Sequence, residues 1–217
     1  MASVSTADFW TDLYAGGGDG WELRQPAPPL VDFVERTPPP RGRVAVPGCG
    51  RGHDVRYLAG HGYDAVGFDF SPPAVAQATS LAKTERVTAE FVQRDIFTLD
   101  RDFPHAFDGI WEYTCFCAID PRRRTDYVRT MAAILKPGGW LLACFFPMRR
   151  RAAGPPFPVS EHEVDLHVAA FNASPGIHNV ASRTRPRAST IFSSCATPSL
   201  NAASGVPAAT QLPAVVS

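Results

Sequence analysis

The chain has 217 residues, which fits one α/β domain with a substantial core and leaves little room for a second domain. Its 21 basic and 21 acidic residues balance, so the summed charge attracts neither nucleic acid nor an anionic membrane, and we expect a small-molecule partner. The N-terminus lacks a signal-peptide pattern, the longest apolar run, 140–148, is too short to span a bilayer, and five cysteines, an odd number, indicate reduced thiols. We therefore expect a soluble, cytoplasmic protein, and a monomer.

The N-terminal residues predict a short helix that carries aromatic side chains on one face. Trp10 and Tyr14 fall on that face, and the glycine-rich stretch 16–20 ends the helix before Trp21. Two interpretations of this pattern remain open. The aromatic face could pack on the core, or the three aromatics could cover a bound sulfonium, where a cation over an aromatic ring gains roughly 0.5–2 kcal/mol.

A strand, a glycine-rich turn and a helix follow one another between residues 44 and 69. The apolar run 44–46 predicts a buried strand, the turn 47–52 contains three glycines, and a helical pattern begins at His53. A second apolar strand ends in Asp69, 19 residues after Gly50. In dinucleotide-type folds a carboxylate at about this distance accepts the ribose hydroxyls. The segment therefore predicts a nucleoside cofactor.

The spacing of the glycines indicates which nucleoside is bound. Gly48, Gly50 and Gly52 give the pattern G-x-G-x-G, whereas a pyrophosphate-binding loop needs a small residue where this chain has His53. This disfavours a nicotinamide oxidoreductase, and the lack of a following Gly-Lys-Ser/Thr excludes a Walker loop. A cofactor without phosphates, such as S-adenosyl-L-methionine, fits better. The alternative is a glycine turn that only links a strand to a helix.

The remaining pattern alternates strands with helices. Helices are predicted at 30–36, 53–59, 72–83 and 122–136, and strands at 65–69, 89–93, 107–113 and 140–146. The arginines that open the helix at 122–136 are expected on a solvated face. The alternation predicts an α/β protein with a doubly wound, Rossmann-like parallel sheet.

Two polar residues follow predicted strands at the edge of the sheet where ligands bind in open α/β folds. Asp95, with Ile96 beside it, offers a polar group and an apolar wall for an adenine; the alternative is an ordinary loop. Tyr113 ends the fourth strand and is expected to face the crevice. Cys115 and Cys117 alternate along one face, which indicates small core residues rather than a metal site.

Five longer motifs occur in order along the chain. They are VPGCGRGHD at 46–54, VGFDFSP at 66–72, FDGIWEYTCFCAI at 107–119, LKPGG at 135–139 and GPPFPVS at 154–160. Over roughly residues 9–168 the chain resembles the thiopurine S-methyltransferase superfamily of class I methyltransferases, especially its bacterial members and the plant halide and thiol methyltransferases. The resemblance implies a class I methyltransferase that uses S-adenosyl-L-methionine.

The resemblance also assigns roles to the candidate site residues. It implies that Trp10, Tyr14 and Trp21 line the cofactor, that Gly48 and Gly50 with Asp69 hold its methionyl and ribose parts, and that Asp95 and Ile96 hold the adenine. Tyr113 would stand beside the transferred methyl group, as a cofactor contact and as the catalytic residue. No metal is implied.

The methyl acceptor is expected to be a small soft nucleophile: a thiol, hydrogen sulfide, a thiopurine or a halide. Glu112 and Tyr113 stand where the thiopurine enzymes tend to carry Asp-Arg, so the chain is closer to the halide and thiol type. Transfer to such a nucleophile is a one-step displacement that depends mainly on holding donor and acceptor in line.

The composition changes abruptly near the C-terminus. Residues 166–217 contain no Asp, Glu or Lys and show no alternating apolar pattern. We therefore predict a methyltransferase domain at 1–168 and an atypical, disordered tail at 169–217. Two origins of the tail remain open: a coding frameshift near residues 166–172, or a genuinely disordered extension. The C-terminal strands would be missing or replaced, which would leave the strand at 140–146 as an exposed edge. An alternative function follows: a catalytically impaired protein that still binds S-adenosylmethionine.

Overall fold

The computed structural model describes residues 3–17, 20–145, 154–172, 180–185 and 188–193. The strands are β1 (Arg43–Pro47), β2 (Asp64–Asp69), β3 (Glu90–Gln93), β4 (Phe107–Tyr113), β5 (Leu135–Phe145), β6 (Val180–Arg185) and β7 (Ala188–Ser193). The helices are α1 (Ala7–Ala15), α2 (Pro28–Arg36), α3 (His53–Gly60), α4 (Pro72–Glu85), α5 (Leu99–Asp102), α6 (Arg124–Ile134) and α7 (Glu161–Asn172). No helix in these ranges is both long and apolar enough to cross a membrane.

The strands form one sheet in the order β3-β2-β1-β4-β5-β7-β6. Strands β1 to β5 run parallel to one another, which confirms the predicted doubly wound sheet. The strand order reverses on the two sides of β1, because β2 lies on one side and β4 on the other. In such folds the ligand crevice opens at the carboxyl ends of the strands at this reversal point. The glycine loop after β1 and the residues after β4 therefore meet there.

The core lies on both faces of the sheet. Successive side chains of β1 point to opposite faces: Ala45 belongs to one buried cluster, and Val44 and Val46 belong to the other. All three are at most 4% exposed. The apolar run at 44–46 therefore forms a strand that is covered on both sides, as expected in a parallel sheet.

Strand β5 starts earlier than the predicted residue 140. Phe107 pairs with Leu135 and Gly109 pairs with Trp140, so the segment 136–139 bulges out of the ladder instead of preceding the strand. A hydrogen bond that Lys136 Nζ donates to Asp108 Oδ1, at 2.8 Å, holds the bulge against β4. The sequence LKPGG thus forms a turn, as predicted, but the turn is enclosed within the strand.

Two further strands continue the sheet beyond β5. Strand β7 pairs antiparallel with β5 over 141–145, and β6 pairs with β7, so β5 is not an edge at these residues. Pairing of this kind uses main-chain donors and acceptors, which an edge strand offers whatever side chains the partner carries. The expectation that the native C-terminal strands are missing or replaced stays a prediction.

The predicted boundary at residue 168 falls inside α7. That helix continues to Asn172, and Phe171 is buried with 5% exposure. Residue 146 and most of the predicted tail lie outside the described residues. The division into a domain at 1–168 and an atypical tail at 169–217 stays a prediction, as does its origin in a frameshift.

Candidate functional site

A cavity of about 210 Å³ opens where the glycine loop meets the residues that follow β3 and β4. All nine predicted site residues line it: Trp10, Tyr14, Trp21, Gly48, Gly50, Asp69, Asp95, Ile96 and Tyr113. They come from positions up to a hundred residues apart in the chain. The structure therefore brings the predicted site together in one place.

The glycine loop is pressed against two neighbouring elements. Gly48 and Gly50 have positive φ angles of 60° and 52°, in the left-handed region that favours glycine. A Cβ on Gly48 would lie 2.8 Å from the sulfur of Cys115, and one on Gly50 would lie 2.9 Å from the hydroxyl oxygen of Tyr14. Both positions therefore need glycine for conformation and for space, and the bare backbone forms the floor of the cavity.

Asp69 ties the glycine loop to the end of β2. Its Oδ2 accepts a hydrogen bond from the Gly50 N–H at 3.0 Å, and its Oδ1 accepts one from the Ser71 N–H at 2.9 Å. Burial raises the pKa of this carboxyl, while the backbone hydrogen bonds act in the opposite direction. A carboxylate has about four acceptor positions, so two remain for a ligand. The group fits the expected ribose partner.

Three aromatic rings form another part of the cavity wall. The Trp21 ring lies edge-on to Trp10 at 5.6 Å and to Tyr14 at 5.8 Å between centroids. No residue of α1 is buried, so the helix is not a core helix. Of the two interpretations of the N-terminal aromatics, the structure favours the one in which they line the cavity.

Asp95 caps the turn of 3-10 helix that follows β3. Its Oδ1 accepts a hydrogen bond from the Phe97 N–H at 3.0 Å, and Ile96 lines the cavity beside it. One carboxylate oxygen is thus engaged in the cap, and the carboxylate keeps further acceptor positions. The arrangement matches the predicted pairing of a polar group with an apolar wall.

Asp54 also lines the cavity, and it is not among the predicted site residues. Its Oδ1 accepts the Ala27 N–H at 2.7 Å, and its Oδ2 accepts the Trp111 Nε1–H at 2.6 Å. Trp111 in turn stacks on Tyr113, with ring planes 7° apart and centroids 5.9 Å apart. Asp54 therefore orients the tyrosine at the carboxyl end of β4 through the tryptophan between them.

The cysteines of the cavity wall are neutral thiols. Burial raises the pKa of Cys117 to about 12 and holds those of Cys49 and Cys115 well above the ordinary value. Cys115 and Cys117 also belong to the buried core, as expected. Because a thiolate is the nucleophilic form, these side chains are poorly suited to covalent catalysis.

Two side chains near the end of β4 are poorly suited to act as general bases. Burial raises the pKa of Tyr113, so its hydroxyl stays protonated near neutral pH. Hydrogen bonds from Arg122 lower the pKa of Asp120 to about 2, too low for a proton acceptor at pH 7. These two side chains can therefore orient a ligand, but neither is suited to remove a proton from it at pH 7.

Glu112 lies behind the cavity and does not line it. It is 2% exposed, and its Oε1 accepts the Phe116 N–H at 2.9 Å while its Oε2 accepts the hydroxyl of Tyr127. Burial raises its pKa to about 7. The residue supports the turn after β4, whereas its neighbour Tyr113 faces the cavity.

Comparison with known proteins identifies related sequences. A family model described as thiopurine S-methyltransferase matches residues 5–184. Over 177 residues the chain is 36% identical to the protein named "Probable thiol methyltransferase 2" of Arabidopsis thaliana, a match that covers 80% of this chain and 77% of the relative. Over 170 residues it is 35% identical to thiocyanate methyltransferase 1 of Brassica oleracea, covering 76% and 74%.

A solved structure supports the same fold at lower sequence similarity. The 1,6-didemethyltoxoflavin-N1-methyltransferase of Burkholderia thailandensis, crystallised with S-adenosylhomocysteine, superposes with a TM-score of 0.66 at 19% identity. The superposition covers 87% of this chain and 86% of that one. The family match and the plant relatives go further and confirm the resemblance: the chain belongs to the thiopurine S-methyltransferase family of S-adenosylmethionine-dependent methyltransferases.

Proposed function

We propose that this chain transfers a methyl group from S-adenosylmethionine to small sulfur nucleophiles that arrive as anions, such as thiolates, hydrosulfide and thiocyanate. One observation carries the proposal: a single cavity is lined by a glycine loop, a ribose-type carboxylate, three aromatic rings and Tyr113. The names of the plant relatives, a thiol and a thiocyanate methyltransferase, support a sulfur acceptor. Halides and thiopurines are further candidates for the same site.

The cofactor would lie along the carboxyl ends of β1, β2 and β3. Its methionyl part would rest on the bare backbone at Gly48 and Gly50, its ribose on Asp69 and its adenine between Asp95 and Ile96. The free acceptor positions of Asp69 and the lack of side chains on the loop support this placement. The rings of Trp10, Tyr14 and Trp21 would then stand over the sulfonium, where a cation–π contact is favourable.

The bound cofactor would supply an electrophilic methyl group, and the protein would supply geometry. Holding donor and acceptor in line at near-attack distance accounts for about 7–11 kcal/mol of the barrier in favourable cases. Tyr113, oriented by Trp111 and Asp54, would position the acceptor through its protonated hydroxyl. Neutral Cys115 and Cys117 argue for direct transfer rather than for a methylated enzyme intermediate.

A positive side chain favours an anionic acceptor. Arg123 lines the cavity, and its guanidinium carbon lies 3.4 Å from the centre of the Phe97 ring. The carboxylate of Asp120 is engaged by Arg122, at 2.6 Å for the shortest contact. The guanidinium of Arg123 therefore places positive charge in the wall next to the apolar surface of Phe97. Such a surface suits a soft, weakly hydrated anion.

The pH dependence of turnover tests this function. With a thiol acceptor whose free pKa is about 8.5, as for cysteine, we expect kcat/KM to rise about tenfold per pH unit below that pKa, because the proposed mechanism uses the thiolate and no protein base. With thiocyanate, already an anion, kcat/KM should stay nearly level between about pH 6 and pH 9. Labelled S-adenosylmethionine and an acceptor panel that includes a halide and a thiopurine provide the measurement.

Three outcomes of these measurements would count against the proposed mechanism, function or substrate. A thiol profile that levels off far below the thiol's pKa would show a base in the site and contradict the anion mechanism. Binding of S-adenosylmethionine, measured by calorimetry, without turnover of any acceptor would support the alternative of an impaired binding protein. Turnover of a neutral oxygen or nitrogen acceptor alone would overturn the assignment of a sulfur substrate.

Replacing Tyr113 with phenylalanine should lower kcat about tenfold or more and change the affinity for S-adenosylmethionine much less. The hydroxyl would act on the acceptor, and one lost hydrogen bond in the transition state is worth roughly 1–2 kcal/mol. Tyr63→Phe is the matched control, since the Tyr63 hydroxyl donates to the Pro39 carbonyl at 2.8 Å outside the cavity. Equal turnover in the Tyr113→Phe and parent proteins would reduce Tyr113 to a packing residue.

A further inference from the structure

Glu22 joins the N-terminal aromatic segment to the glycine loop and to the start of α3. Its Oε2 accepts a hydrogen bond from Arg51 Nη1 at 2.8 Å, and its Oε1 lies 2.9 Å from His53 Nε2. All three side chains line the cavity, and they are 11%, 21% and 20% exposed, respectively. Charged groups this far from solvent are costly unless they are paired, so the contact is specific rather than a surface ion pair.

The two partners of Glu22 are held in place by other residues. Arg51 Nε donates to Gln77 Oε1 at 2.7 Å, and the Arg51 carbonyl accepts from Arg56 Nη1 at 2.6 Å. A second nitrogen of Arg56, Nη2, lies 3.0 Å from His53 Nδ1. Because a guanidinium only donates, His53 Nδ1 accepts this bond. Arg51 and His53 are thus oriented by bonds that do not involve Glu22.

The residue before Glu22 is one of the three aromatics of the cavity wall. Trp21 contacts Trp10 and Tyr14 edge-on, and the Arg51 guanidinium lies 5.2 Å from the centre of the Tyr14 ring. Fixing the Glu22 carboxylate on the glycine loop therefore fixes the backbone from which the Trp21 ring projects. The loop that would hold the methionyl part and the rings that would cover the sulfonium are connected through this carboxylate.

We propose that Glu22 is a positioning residue for S-adenosylmethionine, which sets Trp21 against the cofactor through its hydrogen bond with Arg51 of the glycine loop. This inference rests on the proposed function, and it goes further by assigning a role to a residue that is not one of the nine predicted site residues. The Glu22 carboxylate also accepts the Arg24 N–H through Oε1 at 2.8 Å, so the segment that carries Trp21 is held on both sides of the carboxylate, and the bond to Arg51 is of the stronger, charge-assisted kind.

Glu22→Gln tests the proposal because it removes the charge and keeps the shape. We expect the Kd for S-adenosylmethionine, measured by calorimetry, to rise about tenfold or more. At saturating S-adenosylmethionine, kcat and the KM for the acceptor should stay within about twofold of the parent, since Glu22 acts on the donor side. Asp32→Asn is the matched control: it removes one carboxylate from an exposed ion pair with Arg36, at 2.8 Å on α2.

A double-mutant cycle distinguishes an effect through Trp21 from a direct contact with the cofactor. If Glu22 acts through Trp21, then Glu22→Gln should weaken binding about tenfold in the parent but less than about twofold in a Trp21→Ala background. Equal effects of Glu22→Gln in both backgrounds would overturn the positioning role. The melting temperature of the ligand-free variants shows whether the chain is still folded.

The remaining outcomes separate this inference from the proposed function. Binding by the parent and by Glu22→Gln with the same Kd would overturn the role of Glu22 and leave the function intact. No binding by the parent would refute the function itself. A Glu22→Gln variant that melts well below the parent without ligand and loses kcat and acceptor affinity together would show a structural role only, against the proposal.

Discussion

Replacing Asp69 with alanine is expected to raise the Kd for S-adenosylmethionine roughly a hundredfold or more. The substitution would remove the proposed acceptors for two ribose hydroxyls, and each charge-assisted hydrogen bond is worth about 1.5–3 kcal/mol. It also removes the bonds that Asp69 accepts from Gly50 and Ser71, so the glycine loop loses its anchor. Isothermal calorimetry on the purified variant gives the result directly.

Two further variants make the Asp69 result interpretable. Asp69→Asn keeps the shape of the side chain and one acceptor oxygen, so it should bind more weakly than the parent and more tightly than the alanine variant. Asp64→Ala is the control on the same strand: Asp64 begins β2, lies at the opposite end from Asp69 and is exposed. Affinity equal to the parent in Asp69→Ala, or competition by NADH for the site, would overturn the cofactor assignment.

Local sequence was sufficient to predict that the glycine loop and Asp69 meet at one cavity. The glycine spacing, and the distance from Gly50 to Asp69, are fixed by the backbone geometry of one strand, one turn and one further strand, so short-range pattern carries the information. The structure places both residues in direct contact. Tyr113 and Asp95 were likewise predictable, because the end of a strand in an open parallel sheet lies at the ligand edge.

The residues that were missed depend on pairings between distant parts of the chain. Asp54 meets a tryptophan 57 positions later, and no local pattern distinguishes it from an ordinary acidic residue in the first turn of a helix. The arginines at the start of α6 were expected to be solvated. Arg124 is instead 2% exposed and bonds Glu163 at 2.8 Å, 39 positions away, which sequence periodicity alone does not reveal.

The C-terminal strands illustrate a different limit of sequence pattern. Residues 166–217 lack the alternation and the charges of a typical strand region, so the sequence predicted a disordered tail and an exposed β5. The structure pairs β7 with β5 through the backbone over five residues of each strand. Main-chain pairing is available to any sequence that meets a free edge, whereas the stability of that pairing depends on side-chain packing.

Truncation measures what this pairing contributes. A chain ending at residue 172 loses β6 and β7 and exposes the edge of β5, so we expect its melting temperature to fall by about 5 °C or more, equivalent to roughly 1–3 kcal/mol. The unpaired edge, next to the apolar run at 140–145, should also promote self-association, seen by size-exclusion chromatography with light scattering. The matched control ends at residue 193 and keeps both strands, and we expect it to match the full chain, a predicted monomer. If the two truncated chains are equally stable and equally monomeric, β6 and β7 add nothing to the sheet, and the prediction of a dispensable tail after a domain that ends near residue 168 is upheld.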